Sequence, residues 1–153
     1  VLVCGEDMYL LDFPLSVKVI SCCFVPSEGE LLIDGVFVTS NGVMTSGLWR
    51  KDVRECLFPT GMTVWSSCVD GSGVSCLLSH YSTGELKISR CGEICTLQEG
   101  YTAMGTAPLA MADGILYVGM TSLEGGEPAV WMDGEVRKLN FNGYISSISV
   151  WAP

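Results

Sequence analysis

The feature that most constrains this chain is a short pattern that recurs about every 40 residues. Asp-Gly occurs at Asp34-Gly35, Asp70-Gly71 and Asp113-Gly114, and a β-rich run follows each time. The chain opens with a similar run, 1–5. Because Asp-Gly tolerates positive φ, we expect a turn at each site. A fixed period of this length is typical of repeat architectures.

A hairpin-like segment follows in each repeat, and an apolar residue comes after it. These residues are Val17, Leu57, Leu97 and Leu139, separated by steps of 40, 40 and 42. The hairpin-like segments are 8–13, 48–53, 88–93 and 130–135. The pattern predicts a single domain of four repeats, at 1–33, 34–69, 70–112 and 113–153.

The last repeat shows the expected strands most clearly, at 115–120, 129–132, 135–140 and 145–151. Asp133-Gly134 joins the second and third of these and suits a two-residue type I′ turn. Eighteen glycines and six prolines interrupt the apolar runs. Apolar residues do not recur at helical spacing over any long window. We therefore predict an all-β protein with almost no helix.

The last repeat reads D-G-I-L-Y-V-G-M, then A-V-W-M-D-G-E-V-R-K-L, then S-I-S-V. It resembles repeats of propeller-like proteins, in which a Y-V-x-G strand precedes a V-W-x-x-G-x hairpin and an S-I-x-V strand. The G-H and W-D signature of WD40 blades is missing from the sequence. The resemblance implies a small four-bladed β-propeller-like ring. Part of a larger propeller and a β-sandwich are the alternatives.

The net charge and the mean hydropathy indicate which kinds of partner the protein binds. Seventeen acidic and eight basic residues give a net charge of −9, which disfavours binding to nucleic acid and to anionic membranes. The longest stretch without a charged residue, 139–153, is too short to span a bilayer. A mean hydropathy of +0.40 indicates surplus apolar surface, which predicts a protein partner or self-association.

Eight cysteines favour an oxidising compartment, so we expect an extracellular or cell-surface protein. The disulfide candidates are Cys4, Cys22, Cys23, Cys56, Cys68, Cys76, Cys91 and Cys95. The alternative is a cytoplasmic protein whose cysteines are free thiols, several of them buried. The cysteine spacings do not match a zinc site, and no metal or other cofactor is predicted. A start at Val1 predicts a processed product or an excerpt.

Aromatic residues recur at similar places in the repeats and are the candidate ligand-binding residues. They are Tyr9, Trp49 and Trp131 in the hairpin-like segments, with Trp65 and Trp151 in the last strands of their repeats. Such rings either pack between neighbouring blades or stack on sugar rings, as in propeller lectins.

Basic residues fall on the second and third strands of their repeats and form a candidate contact patch. They are Arg50, Lys51, Arg54, Lys87, Arg90, Arg137 and Lys138. Such a patch on an acidic protein favours an acidic partner or head-to-tail stacking. A solvated strand face is the simpler interpretation.

Groups suited to catalysis are sparse. His80 is the single histidine, and no nucleophile motif accompanies it, so we expect it in a loop or at a rim. The sequence therefore predicts a non-catalytic binding or scaffold module that acts through protein–protein contacts. The alternatives are a self-assembling subunit of an extracellular filament or coat, a carbohydrate-binding lectin, and a hydrolase. The hydrolase would use the loop carboxylates of Glu28, Glu30, Glu124 and Glu127.

Overall fold

A computed structural model describes residues 2–4, 7–9, 17–24, 31–38, 41–50, 53–70, 73–90 and 92–151. All regular secondary structure in these segments is β, which confirms the predicted all-β class. The chain divides into two compact units, Val1–Val64 and Trp65–Pro153. The four-bladed ring and the four repeat boundaries stay predictions.

The first unit contains a two-stranded sheet and a four-stranded sheet. β1 (Leu2–Cys4) pairs with β2 (Asp7–Tyr9). The larger sheet is an antiparallel meander in the order β3-β4-β5-β6. Its strands are β3 (Val17–Phe24), β4 (Leu31–Val38), β5 (Met44–Arg50) and β6 (Val53–Leu57).

The next sheet is also a four-stranded meander, in the order β7-β8-β9-β10. Its strands are β7 (Met62–Asp70), β8 (Gly73–His80), β9 (Leu86–Arg90) and β10 (Glu93–Thr96). Five consecutive residues of β8, 75–79, are buried. Because successive side chains point to opposite faces, both faces of β8 are covered.

The last sheet has five strands. β12 (Leu109–Ala112), β13 (Ile115–Ser122), β14 (Pro128–Met132) and β15 (Glu135–Lys138) form the third meander. The short β11 (Tyr101–Thr102) pairs with the far end of β13.

The three meanders repeat with a nearly constant step. The second strands, β4, β8 and β13, begin at Leu31, Gly73 and Ile115, two steps of 42 residues. The third strands begin at Met44, Leu86 and Pro128, again 42 residues apart.

The sheets are offset from the repeats in the sequence. β7 lies almost wholly within the predicted repeat 34–69, yet it belongs to the sheet of β8 to β10. β12 likewise lies in the predicted repeat 70–112 and pairs with β13. Each of these two repeats therefore contributes its last strand to the sheet of the next repeat.

The second unit has one apolar core to which both of its sheets contribute. β8 and β9 supply Leu77 and Ile88, while β13 and β14 supply Val118 and Trp131. Leu97, one of the predicted apolar anchors, is buried in the same core. Another predicted anchor, Leu57 in the first unit, is exposed, so the anchor pattern holds only in part.

Two predicted Asp-Gly turns are confirmed. Asp113 and Gly114 join β12 to β13 with φ of 51° and 76°, and Asp133 and Gly134 join β14 to β15 with φ of 41° and 104°. Positive φ at both central residues fits the right-handed twist of the flanking strands.

The expected turn at Asp34-Gly35 is wrong, because both residues lie inside β4, paired with Leu48 and Gly47 of β5. Gly35 is required there for another reason. A Cβ atom at this position would lie 3.0 Å from Cζ3 of the Trp49 ring. The glycine makes room for a buried indole and does not reverse the chain.

The predicted strand 145–151 is also wrong. This segment forms a single parallel bridge, between Ser147 and Ala107. The backbone N–H of Ile148 donates to Ala107 O at 3.0 Å, and the N–H of Ala107 donates to Ser146 O at 3.2 Å. Ile145 packs over Gly119, where a Cβ atom would lie 2.6 Å from Ile145 Cγ2.

Candidate functional site

A groove with a volume of about 850 Å³ lies between the two sheets of the second unit. β9, β10 and the residues that follow β10 form one wall. Leu116, Trp131 and the Asp133-Gly134 turn form the other. Four buried side chains make its base apolar: Ile88, Leu97, Leu116 and Trp131.

All four residues of β10 line this groove, and all four are exposed. Neighbouring side chains of a strand point to opposite faces. A groove that touches four consecutive residues therefore runs along the edge of the strand. β10 is the last strand of its sheet, and no strand of the described residues pairs with its outer edge.

The register of β10 on β9 shows which backbone groups face the groove. The N–H of Leu97 donates to Leu86 O at 3.2 Å. Hydrogen-bonded pairs alternate along an antiparallel ladder, so the Cys95–Ile88 and Glu93–Arg90 pairs share hydrogen bonds. Ile94 and Thr96 belong to the other set, and their backbone N–H and C=O groups point away from β9.

Arg90 closes one end of the groove. Its Nη2 donates to Gly114 O at 2.6 Å, and its Nη1 donates to Asp133 Oδ1 at 3.5 Å. The same carboxylate oxygen accepts from the backbone N–H of Leu116 at 3.3 Å. Arg90 thus ties the first sheet of the unit to two turns of the second, and its charge is offset by Asp133.

The remaining charges in the groove wall are acidic. Glu93 and Glu99 are exposed, and neither forms an ion pair with any described residue. Since the Arg90 charge is already matched, the groove carries net negative charge.

No protein-family model, curated protein or solved structure matches the chain. Among the described residues, no helix is long and apolar enough to cross a membrane. In the same part of the chain, His, Cys, Asp and Glu side chains do not gather in groups of three or more suited to a metal ion.

The predicted aromatic residues do not share one surface. Trp49 and Trp131 are only 2 % and 9 % exposed, which favours packing over sugar stacking for these two rings. Trp65 is 40 % exposed, and its Nε1 donates to Gly105 O at 2.9 Å. Trp151 is 86 % exposed, and the side chain of Tyr9 lies outside the described part.

The predicted basic residues of the second unit are mostly paired with acids. Lys87 lies 3.4 Å from Glu85, and Lys138 lies 2.8 Å from Glu127. Lys87 and Arg90 lie on opposite faces of β9, as do Arg137 and Lys138 of β15, because strand side chains alternate. These four residues therefore do not form one basic face. The side chains of Arg50, Lys51 and Arg54 lie outside the described part.

His80 is the last residue of β8 and stacks on Tyr81, with ring centroids 5.4 Å apart. Of the loop carboxylates, Glu124 and Glu127 are exposed, and Glu28 and Glu30 lie outside the described residues.

Among the cysteines, Cys76 is buried, Cys68 is partly buried and Cys95 is exposed on β10. No disulfide bond joins these three cysteines, the ones whose side chains the structure describes. The side chains of Cys4, Cys22, Cys23, Cys56 and Cys91 lie outside the described part, so the predicted pairing stays a prediction.

The residues that line the groove, above all Ile94, Thr96 and Glu99, do not stand out in the sequence. The hairpin-like segment 88–93 located the turn before β10. The open edge of β10 depends on which strand pairs with which, and one strand's sequence does not contain that information.

Proposed function

We propose that this protein is a non-catalytic binding module built from propeller-type repeats, and that its ligand is another protein. The observation that carries the proposal is the groove along β10. It combines a buried apolar base, polar and charged walls, and an open strand edge. Protein-binding sites have this composition, with apolar area for affinity and hydrogen-bonding groups for specificity.

The propeller-type arrangement is supported by three meanders at a step of about 42 residues. It is further supported by the offset between repeats and sheets, because β7 and β12 each complete the sheet of the following repeat. We propose a small four-bladed ring, with part of a larger propeller as the alternative.

Selection from a displayed library of random peptides tests the binding function. We expect the folded protein to enrich a family of peptides whose affinity is then measured by fluorescence anisotropy. An Ile94→Ala variant, which shortens an exposed side chain of the groove wall, should lower this affinity, whereas Tyr144→Ala, outside the groove, should keep it. Cleavage of the enriched peptides would favour the hydrolase. A signal on a glycan array without any enriched peptide would favour the lectin.

A self-assembling subunit is the second candidate, and one observation favours it. The segment after β15 exposes four large apolar side chains: Phe141, Tyr144, Val150 and Trp151. Exposed apolar residues gathered in one segment mark surfaces that bind other chains.

Light scattering on a size-exclusion column separates the two candidates. A constant mass near 16.4 kDa at all concentrations would support the binding module. A mass that rises with concentration would support self-assembly, and Trp151→Asp should then reverse it. Leu123→Asp is the matched control, because Leu123 is exposed on a different loop.

A further inference from the structure

We infer that the groove takes an extended, basic peptide segment that adds to the edge of β10 as a further antiparallel or parallel strand. The inference rests on the proposed binding function and names the ligand class for that site. Addition of a strand to an open sheet edge is a general mode of peptide recognition, in which main-chain hydrogen bonds supply affinity.

The backbone of β10 has the geometry that addition of a strand requires. Pairing with β9 uses the backbone groups of Glu93 and Cys95, as the Leu97–Leu86 hydrogen bond fixes the alternation. Ile94 and Thr96 then present two N–H donors and two C=O acceptors to the groove. These groups form the pattern that an added strand of about four residues requires.

The groove beside the open edge of β10 is wide enough for an added strand. A cavity of about 850 Å³ separates β10 from Trp131 and the Asp133-Gly134 turn. Alternate side chains of an added strand would point toward the buried ring of Trp131 or toward solvent. The apolar base therefore favours a β-branched or other apolar residue at every second position of the ligand.

The charges of the groove wall complement a basic peptide. Glu93 and Glu99 lie in the same wall as the open edge and make no ion pair among the described residues. The positive charge of Arg90 is matched by Asp133. Lysine or arginine residues at the ends of the ligand would pair with the two glutamates, while an acidic peptide would meet repulsion.

The test uses a capped peptide, Lys-Thr-Val-Thr-Val-Lys, and its counterpart with glutamate in place of both lysines. We expect the basic peptide to bind at least tenfold more tightly at low salt. In hydrogen-exchange measurements on labelled protein, the amides of Ile94 and Thr96 should exchange rapidly without peptide. Both should become protected when the basic peptide is bound.

Two proline variants give a sharper control. Thr96→Pro removes an N–H that faces the groove, and proline is tolerated on an edge strand at such a position. We expect it to keep the fold and lower peptide affinity at least tenfold. Cys95→Pro removes an N–H that bonds β9, so it should destabilise the hairpin instead. Glu93→Gln with Glu99→Gln should remove the preference for the basic peptide without unfolding the protein.

Each negative result of these experiments would contradict a different part of the proposal. Binding of the basic peptide with no protection at Ile94 and Thr96, or with full affinity in Thr96→Pro, would overturn strand addition and leave the binding function standing. Equal affinity for the two peptides would overturn the basic ligand class. Binding of neither peptide overturns this inference, whereas the binding function itself fails only if the random library also yields no ligand.

Discussion

Arg90 and Asp133 lie on different sheets of the second unit and are joined across the end of the groove, with 3.5 Å between Nη1 and Oδ1. The contact is more than a surface ion pair, because each partner forms a further hydrogen bond. Asp133 Oδ1 accepts from the backbone N–H of Leu116, and Arg90 Nη2 donates to Gly114 O. Removing one partner therefore affects two turns and both walls of the groove.

We predict that Arg90→Lys lowers the free energy of unfolding by about 0.5–1 kcal/mol, since both side chains are more than a third exposed. A lysine ammonium lacks the planar fork that reaches two acceptors. Urea denaturation with an unchanged m-value measures the loss. Arg137→Lys, on an exposed stretch of β15, should have no effect; equal losses in both variants would contradict the role given to Arg90.

Gly119 and Ile145 provide the second prediction. A Cβ atom at position 119 would lie 2.6 Å from Ile145 Cγ2 and 3.0 Å from Ile145 Cβ, so the segment after β15 would have to move. We expect Gly119→Ala to cost about 1–3 kcal/mol, the usual penalty for overpacking. In the Gly119→Ala/Ile145→Ala double variant, the two effects should not add.

Gly125→Ala is the control for the variants of Gly119 and Ile145. Its added Cβ would meet only Glu127 at 3.6 Å, an ordinary contact. We expect its free energy of unfolding to stay within about 0.5 kcal/mol of the parent. Additive effects of Gly119→Ala and Ile145→Ala would show that the segment does not pack on β13 in solution.

The third prediction concerns the buried hydroxyl groups of two serines. Their removal should change the free energy of unfolding in opposite directions. Ser75 Oγ is buried in β8 without a hydrogen-bond partner among the described residues. Ser46 Oγ is buried too but accepts from the N–H of Val64 at 3.1 Å. Ser75→Ala should raise the free energy of unfolding by about 0.5–1 kcal/mol, and Ser46→Ala should lower it by about 1 kcal/mol. Urea denaturation of both variants checks the signs, and a loss in Ser75→Ala would reveal an unrecognised partner.

The sequence predicts the β class and two of the turns because these depend on neighbouring residues. Asp133-Gly134 forms its turn through the φ angles that those two residues tolerate. Asp34-Gly35 is the same dipeptide but lies within a strand. There the glycine accommodates Trp49, fourteen residues further along the chain. The candidate site was less predictable, because the open edge of β10 arises from strand order and from the spacing of two sheets.

The ion pair between Glu127 and Lys138 supplies the last prediction. A hydrogen bond from Lys138, reinforced by its charge, lowers the pKa of Glu127, and the same contact raises the pKa of Lys138. A carboxyl group whose pKa is lower in the folded state stabilises the fold above its unfolded pKa, and this contribution is lost as the pH falls through the folded pKa.

The contribution of Lys138 to stability depends on pH in the opposite direction. Its contribution is present below its unfolded pKa and is lost as the pH rises through the folded pKa. We expect Lys138→Met to raise the pKa of Glu127 toward its ordinary value, as measured by NMR titration of the side-chain carboxyl. Lys87→Met, which removes the partner of Glu85, should leave the Glu127 titration unchanged. Because both partners are exposed, 1 M salt should weaken the effect in the parent protein, and a salt-independent pKa would contradict the ion pair as its cause.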